Sequence, residues 1–324
     1  MMYVPTVSRR QLESPPPVSV SSMSAPAACP RPWSVCPACS STEHQDDYDF
    51  SVSSTPGAVP GRVVTCCSCG LQFKIAARPE VPLAEYYADT ALYQHRDDEA
   101  EADKEFARVL EILVERLPHG GRLLDVGSGP GHFLRAAVQA GFQATGVELN
   151  PGLAELAAAS SGAEVIAGDA LALPTLLAGR EGGFDAVTML DLIEHVLDPI
   201  QLLRDAASFV KPGGVLLVYT PNHAGLIVRT AALIRTLTLG RVEGPLRGIY
   251  DCDHIVFFTP DTLRDAVRRA GLEPGDLTMI KFNPNRRRIA RGVAATALRL
   301  IESASPVLFG EFRMVLLVHP SGMR

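Results

Sequence analysis

The chain has 324 residues, enough for one large domain and an additional small module. Apolar residues make up 47% and charged residues 20%, which is typical of a folded protein and excludes disorder throughout. The formal charge of -6 argues against nucleic acid as a partner. No apolar run reaches the roughly 18 to 20 residues of a transmembrane helix, so no transmembrane segment is predicted.

The N-terminal segment, residues 1–35, contains Ser14-Pro15-Pro16-Pro17 and no periodic apolar pattern. Such a segment cannot bury enough apolar surface to offset its ordering entropy, so we expect it to be disordered. It also lacks the apolar stretch of a signal peptide.

Four of the seven cysteines form two CxxC pairs, Cys36 with Cys39 and Cys66 with Cys69. Two such pairs at this distance are typical of a tetrahedral zinc site, and four thiolates leave no position for water, so the Zn²⁺ would be structural. We therefore predict a zinc module over residues 36–85. An odd cysteine total with paired spacing favours metal-bound thiolates in a reducing compartment, so we expect a cytoplasmic protein.

Residues 86–324 alternate apolar strands with helical stretches. A helix with apolar positions at helical spacing from Phe106 to Leu117 comes first. Strands are then predicted at residues 123–126, 144–148, 165–167, 184–190, 215–219, 277–282 and 313–319. Strands separated by helices imply an α/β fold, Rossmann-like, with a mostly parallel sheet and helices on both faces.

The first of these strands leads into a glycine-rich turn with Gly127, Gly129 and Gly131. Backbone at such a turn can approach a ligand closely. A dinucleotide fingerprint would have glycine at position 132, where this chain has His132, which argues against NAD or FAD. Glu148 ends the next strand, where its two oxygens can accept from both hydroxyls of a ribose, so the ligand should contain a nucleoside.

The third strand ends at Gly168-Asp169-Ala170, where the acid could accept from an adenine amine or cap a helix. Together, the DxGxGxG run that starts at Asp125, Glu148, Asp169 and Phe184-Asp185 resemble the class I methyltransferases that use S-adenosylmethionine. The resemblance implies a seven-stranded sheet whose last strand is antiparallel. It also implies a cofactor site with Asp125, Gly127, Gly129 and Gly131 at the methionine part, Glu148 at the ribose, and Asp169 with Ala170 at the adenine.

The segment after the fourth strand, Asp191-Leu192-Ile193-Glu194-His195, lies where ligands bind in parallel sheets. His195 is the first candidate base for the acceptor's proton, with a loop-fixing histidine as the alternative. The segment also resembles the Glu-x-x-Glu-His run of ubiquinone-pathway O-methyltransferases, where those side chains can hold a divalent cation. That resemblance implies a possible Mg²⁺ site at Asp191, Glu194 and His195.

A second candidate base, His254, begins a segment that resembles the His-x-x-x-Phe-(Ser/Thr)-Pro run of bacterial small-molecule methyltransferases. The alternative is that Thr259 and Phe258 only cap and pack the next helix. Between the two histidines, residues 223–250 form an insertion with apolar positions at helical intervals. We expect it to be a lid over the acceptor, or else a surface helix that meets lipid-linked substrates.

The substrate class depends on two further features. The run Cys66-Cys67-Ser68-Cys69-Gly70-Leu71-Gln72-Phe73 resembles the zinc ribbon before bacterial methyltransferases of sugars and secondary metabolites, although some ribosomal-RNA base methyltransferases also carry one. The (Asn/Asp)-Pro-Pro-(Tyr/Phe) segment of base-amine methylation is replaced by residues 190–193. We therefore predict O-methylation of a sugar, aromatic or polyketide-type metabolite. The alternatives are C- or N-methylation, an RNA base, and a non-catalytic binding protein.

Overall fold

A computed structural model describes residues 34–52, 58–78, 99–280 and 313–319 of the chain. The predicted disorder of residues 1–35 falls almost wholly outside these ranges. Within them, the strands are β1 (His44–Phe50), β2 (Gly61–Cys66), β3 (Gln72–Ala76), β4 (Arg122–Val126), β5 (Gln143–Glu148), β6 (Glu164–Ala167), β7 (Phe184–Leu190), β8 (Val210–Pro221), β9 (Val256–Phe257), β10 (Glu273–Ile280) and β11 (Arg313–His319). The α-helices are α1 (Glu99–Arg116), α2 (His132–Gln139), α3 (Pro151–Ser161), α4 (Leu173–Leu176), α5 (Pro199–Ser208), α6 (Leu226–Leu237), α7 (Gly244–Tyr250) and α8 (Pro260–Arg269).

Seven strands form the larger sheet, in the order β10-β11-β8-β7-β4-β5-β6. The five strands from β8 to β6 are mutually parallel, and β11 runs antiparallel to both of its neighbours. This confirms the predicted α/β fold with its antiparallel last strand. Alternating side chains of one strand enter different hydrophobic cores: Leu124 and Val126 pack in one, and Leu123 packs in the other. The sheet is therefore buried on both faces, as parallel sheets require.

A smaller antiparallel sheet, β1-β2-β3-β9, carries the cysteine pairs. Its last strand, β9, belongs to the segment after the insertion and pairs with β3, with Phe73 opposite Val256. Leu71 and Phe73 also lie in the same hydrophobic core as Phe258 and Leu263. The cysteine module and the larger sheet therefore share a core; the predicted boundary at residue 85 falls outside the described residues.

The insertion packs on the smaller sheet. Val228 and Ala231 of α6 and Leu246 of α7 share a hydrophobic cluster with Phe50 and Val63. None of the helices described in the structure is long and apolar enough to cross a bilayer.

Candidate active site

The glycine turn after β4 needs glycine for two different reasons. Gly127, Gly129 and Gly131 have φ of 76°, 52° and 88°, in the left-handed region that side chains disfavour. A Cβ at Gly131 would lie 2.7 Å from the Cα of Ala157 in α3, and one at Gly127 would lie 2.9 Å from Leu192. Among the described residues other than its two chain neighbours, no atom lies within 4 Å of a Cβ built at Gly129. The outer glycines thus allow close packing, and the middle one borders open space.

Glu148 is held against this turn from the tip of β5. Its Oε2 accepts from the backbone N–H of Gly129 at 2.8 Å, and its Oε1 accepts from that of Asn150 at 2.9 Å. Burial raises the pKa of Glu148, and these backbone donors act in the opposite direction. Each carboxylate oxygen has a second acceptor site, so the group can also accept from two hydroxyls.

Asp125 and Asp169 make contacts within the protein. Asp125 is 2% exposed and accepts from Thr188 Oγ1 at 2.7 Å, which ties β4 to β7. Burial raises the pKa of Asp125 to about 7. The Asp169 side chain accepts from Leu171 N at 2.9 Å and caps a 3₁₀ turn over Ala170–Ala172. The capping alternative for Asp169 is therefore present in the structure, at the same strand end as the predicted adenine contact.

These residues fit a nucleoside ligand such as S-adenosylmethionine. The turn is open at Gly129, and the carboxylate of Glu148 lies beside it. Ser128 Oγ, in the same turn, is buried and has no hydrogen-bond partner among the described residues. A buried hydroxyl without a partner is costly, and a polar ligand group would satisfy it.

Two predicted histidines meet beyond the end of β7. A 3₁₀ turn, Ile193–His195, presents His195, whose ring centroid lies 4.7 Å from that of His254 at an interplanar angle of 82°. Asp253 reaches both rings: one carboxylate oxygen lies 3.9 Å from His195 Nδ1, and the other lies 4.0 Å from His254 Nε2. The sequence did not single out Asp253, because only the fold brings its carboxylate near both rings.

The backbone carbonyl of Asp253 lies 3.3 Å from His195 Nδ1. This contact favours the tautomer in which Nδ1 carries the proton and Nε2 carries the lone pair. His195 is thereby oriented as a proton acceptor. Thr259 caps α8 with a capping box, as the capping alternative predicted. His254 nevertheless also lies close to His195.

A third imidazole, His223, follows β8 and was not predicted. It is buried, and neither ring nitrogen has a hydrogen-bond partner among the described residues. Burial lowers the pKa of His223 to about 3, with Arg313 contributing. Burial also lowers the pKa of His254 well below its ordinary value, and the neighbouring His195 adds to this. Both rings are therefore neutral near pH 7.

The predicted cation site is only partly assembled. Glu194, His195 and His254 each offer a ligand atom within 4.8 Å of the others. Glu194 is 1% exposed; its Oε2 accepts from Thr220 Oγ1 at 2.8 Å, and its Oε1 has no hydrogen-bond partner among the described residues. Burial raises the pKa of Glu194, with the charge of Asp191 adding to the effect.

Asp191, the remaining predicted ligand, does not join this group, because its carboxylate forms an ion pair with Arg313 of β11. The structure thus brings together two of the three predicted residues and adds His254. Two imidazoles and one carboxylate suit a transition metal ion better than Mg²⁺, which prefers oxygen ligands.

The four paired cysteines converge. Cys36 Sγ lies 3.6 Å from Cys69 Sγ, and Cys39 Sγ lies 3.5 Å from Cys66 Sγ. A tetrahedral Zn²⁺ with bonds of about 2.3 Å needs sulfurs about 3.8 Å apart, so this donor set fits the ion. The residues after each pair, Ser40 and Gly70, both adopt positive φ, at 62° and 73°. The two turns therefore have matching geometry.

Comparison with known proteins shows the family to which the chain belongs. A family model described as a methyltransferase domain matches residues 93–275, more than half of the chain. The ubiquinone biosynthesis O-methyltransferase of Xanthomonas axonopodis pv. citri (strain 306) is 34% identical over 184 residues, covering 55% of this chain and 74% of that protein. The protein of the same name from Bordetella avium (strain 197N) is 34% identical over 170 residues, covering 51% and 67%.

Among solved structures, magnesium protoporphyrin IX methyltransferase from Synechocystis PCC 6803, with bound SAH, matches with a TM-score of 0.50 at 13% identity. The match covers 74% of this chain and 98% of that one, and at this identity it shows the fold alone. The family model and the two relatives show the family as well as the fold. The chain belongs to the class I S-adenosylmethionine-dependent methyltransferases and is an enzyme of that kind.

Proposed function

We propose that the enzyme methylates a hydroxyl group of a small molecule, with His195 as the base. The observation that carries this proposal is the contact of His195 Nδ1 with the Asp253 carbonyl, with the Asp253 carboxylate close by. This arrangement directs the lone pair of Nε2 outward from Asp253. An alcohol or phenol loses a proton as it attacks, and a positioned base contributes roughly 10² to 10⁴ in rate.

The cofactor supplies an activated methyl group on a sulfonium, which needs no base. The residues predicted to hold it are Asp125, the three glycines of the turn, Glu148, Asp169 and Ala170. Their part is to bind and orient, so that the acceptor is in line for attack. The rings of His195 and His254 then face the acceptor.

The small-molecule acceptor is supported by the relatives, whose name is ubiquinone biosynthesis O-methyltransferase. The negative formal charge also argues against an RNA substrate. C- or N-methylation of a sugar or natural product remains the alternative, since carbon acids also need a base. The cytoplasmic location and the lid role of residues 223–250 stay predictions.

A structural Zn²⁺ held by Cys36, Cys39, Cys66 and Cys69 is part of the same proposal. Its support is the set of short Sγ distances and the paired turns that present the thiols. The family model begins at residue 93, after the cysteines, so the module is an addition to the domain that the model describes.

Incubation with methyl-labelled S-adenosylmethionine and a panel of phenols, sugars, amino sugars, polyketide-type alcohols and RNA tests the proposal, with mass spectrometry to locate the methyl group. We expect the label on oxygen. Label on a nucleic-acid base, or on carbon or nitrogen across the panel, would refute O-methylation.

Metal-assisted deprotonation is a second candidate, favoured by the unpartnered Oε1 of Glu194 beside His195 and His254. Here the ion would acidify the acceptor hydroxyl. Metal analysis tests this candidate. It requires a second metal ion in addition to the zinc held by the cysteines, and Glu194→Gln should lose the second ion and keep the zinc. Zinc alone in the active enzyme would exclude it.

A further inference from the structure

A buried lysine connects the zinc module to the histidine site. Lys74 lies in β3 and is 1% exposed. Its Nζ donates to the backbone carbonyl of Cys252 at 2.8 Å and lies 5.8 Å from the ring centroid of Phe257. Cys252 precedes Asp253 and His254, so the ammonium contacts the loop that orients His195.

The same connection continues through the backbone. Lys74 N donates to Ile255 O at 2.8 Å, and Ile255 N donates to Glu194 O at 2.9 Å. Glu194 and His195 belong to one 3₁₀ turn. A hydrogen-bonded path therefore runs from the zinc module, through residues 252–255, to the turn that presents the base.

Local hydrogen bonding does not require a charge at Lys74. The Cys252 carbonyl also accepts from Val59 N at 3.0 Å, so it would stay satisfied without the lysine. Burial lowers the pKa of Lys74, opposed by the charges of Cys252, Asp251 and Asp253. A buried charge generally costs stability relative to an apolar side chain of similar size. Attraction to the charges of Asp251 and Asp253, in the loop that leads to His254, supplies a reason for its presence.

We propose that Lys74 is a positioning residue for methyl transfer, whose ammonium fixes the 251–254 loop and through Asp253 sets the orientation of His195. This inference rests on the proposed role of His195. Because Lys74 is 1% exposed, we expect it to act on His195 through Asp253 and not by contact with the reacting groups. The zinc module thereby contributes directly to the geometry of the site.

The test is Lys74→Met, an unbranched apolar side chain one atom shorter than lysine, which removes the charge and the donor. Lys211→Met is the matched control: Lys211 pairs with Asp185 at the start of β7, the opposite end of that strand from His195. We expect Lys74→Met to retain zinc, S-adenosylmethionine affinity and the melting temperature, while kcat falls roughly 10- to 100-fold, as a small misplacement of a reacting group does. The KM for the cofactor should not change.

A readout independent of turnover is the ¹⁵N NMR spectrum of the histidine rings, with the His195 signals assigned by His195→Ala. We expect Lys74→Met to shift the His195 ring nitrogens toward a tautomer mixture and Lys211→Met to leave them unchanged. Lys74→Gln, neutral but still a donor, is the second variant and should show an intermediate shift.

Unchanged kcat and unchanged ring nitrogens in Lys74→Met would overturn the inference. Loss of zinc or of folding in both Lys74→Met and Lys74→Gln would also overturn it, because Lys74 would then serve folding alone. A wild-type enzyme that methylates no hydroxyl would refute the proposed function instead, and the NMR comparison would still decide the role of Lys74.

Discussion

The cofactor side and the acceptor side of the site are assembled in different ways. The predicted cofactor residues lie at the ends of three successive strands, from Asp125 to Ala170, and most of their contacts are to nearby backbone. The proposed acceptor side combines His195, His223, His254 and Arg313, which come from separate segments, with Lys74 contacting the 251–254 loop from the zinc module. A local sequence motif predicts the cofactor residues, whereas the contacts among the acceptor-side residues depend on the fold.

The two sides also differ in their buried ionisable groups. The predicted cofactor side holds carboxyl groups with raised pKa values, at Asp125 and Glu148. The proposed acceptor side holds imidazoles with lowered pKa values, His223 and His254, and one carboxyl group with a raised pKa, Glu194. Substitutions on the cofactor side should therefore change binding, and those on the acceptor side should change turnover.

The largest expected effect comes from removing the proposed zinc site. In Cys36→Ser we expect loss of the metal and unfolding of β1–β3, because structural zinc contributes about 10 to 16 kcal/mol in small zinc domains. Since β3 pairs with β9, unfolding of β3 should disturb the 251–254 loop and abolish turnover, while S-adenosylmethionine still binds. Metal analysis, calorimetry and a transfer assay measure these three properties.

Cys67→Ser is the matched control, because Cys67 is exposed and lies outside the four-thiol group. It should keep its zinc and its activity. A zinc-free Cys36→Ser enzyme with normal turnover would show that the zinc module does not support the histidines of the acceptor side.

The next largest effect is expected at Gly131. Gly131→Ala places a Cβ 2.7 Å from the Cα of Ala157 at a φ of +88°, so the turn and α3 must separate. We expect a destabilisation of about 1 to 3 kcal/mol, typical of overpacking, together with weaker cofactor binding. Gly129→Ala, which meets open space, should be milder for folding. Thermal denaturation of both variants gives the comparison, and equal losses would contradict the packing role of Gly131.

Glu148 gives a smaller effect that concerns the cofactor. Glu148→Ala should weaken S-adenosylmethionine binding by about 1 to 3 kcal/mol, because ribose donors lose their acceptor. Glu148→Gln keeps one acceptor oxygen and should fall between wild type and alanine. Calorimetry measures both, and unchanged affinity in Glu148→Ala would remove the residue from the cofactor site.

A further prediction is a pH dependence of stability at Asp125. Burial raises its pKa to about 7, so the folded protein keeps a proton that the unfolded chain loses above about pH 4. Stability contributed by this group therefore falls as the pH rises toward 7 and then levels off. Asp125→Asn, neutral throughout, should flatten that part of the pH profile in denaturant titrations.

Asp185 of β7 provides a control of opposite sign. Burial raises its pKa, but the hydrogen bonds from Lys211 and Arg122 outweigh this and leave it lowered. Its stabilisation is present above its unfolded pKa and is lost as the pH falls through the folded one. Asp185→Asn should therefore remove stability at neutral pH and reduce the loss on acidification.

The contrast between the two sides explains what the sequence could predict. The mostly parallel sheet followed from strands alternating with helices, and its seven-stranded form with an antiparallel last strand followed from the family resemblance. The close set of cysteines followed from two CxxC pairs. The partner of Asp191 could not be predicted, because Arg313 lies far along the chain. The strand β9 is only two residues long and has no periodicity, so its pairing with β3, and with it the contact of Lys74, depended on the fold.

In the mechanism proposed here, cofactor binding and proton removal reside on separate sides of the site, with His195 as the base. Calorimetry and a transfer assay on His195→Ala test it directly. We predict unchanged S-adenosylmethionine affinity with turnover reduced roughly 10²- to 10⁴-fold. Full turnover across neutral and alkaline pH, with the cofactor bound normally, would contradict the claim.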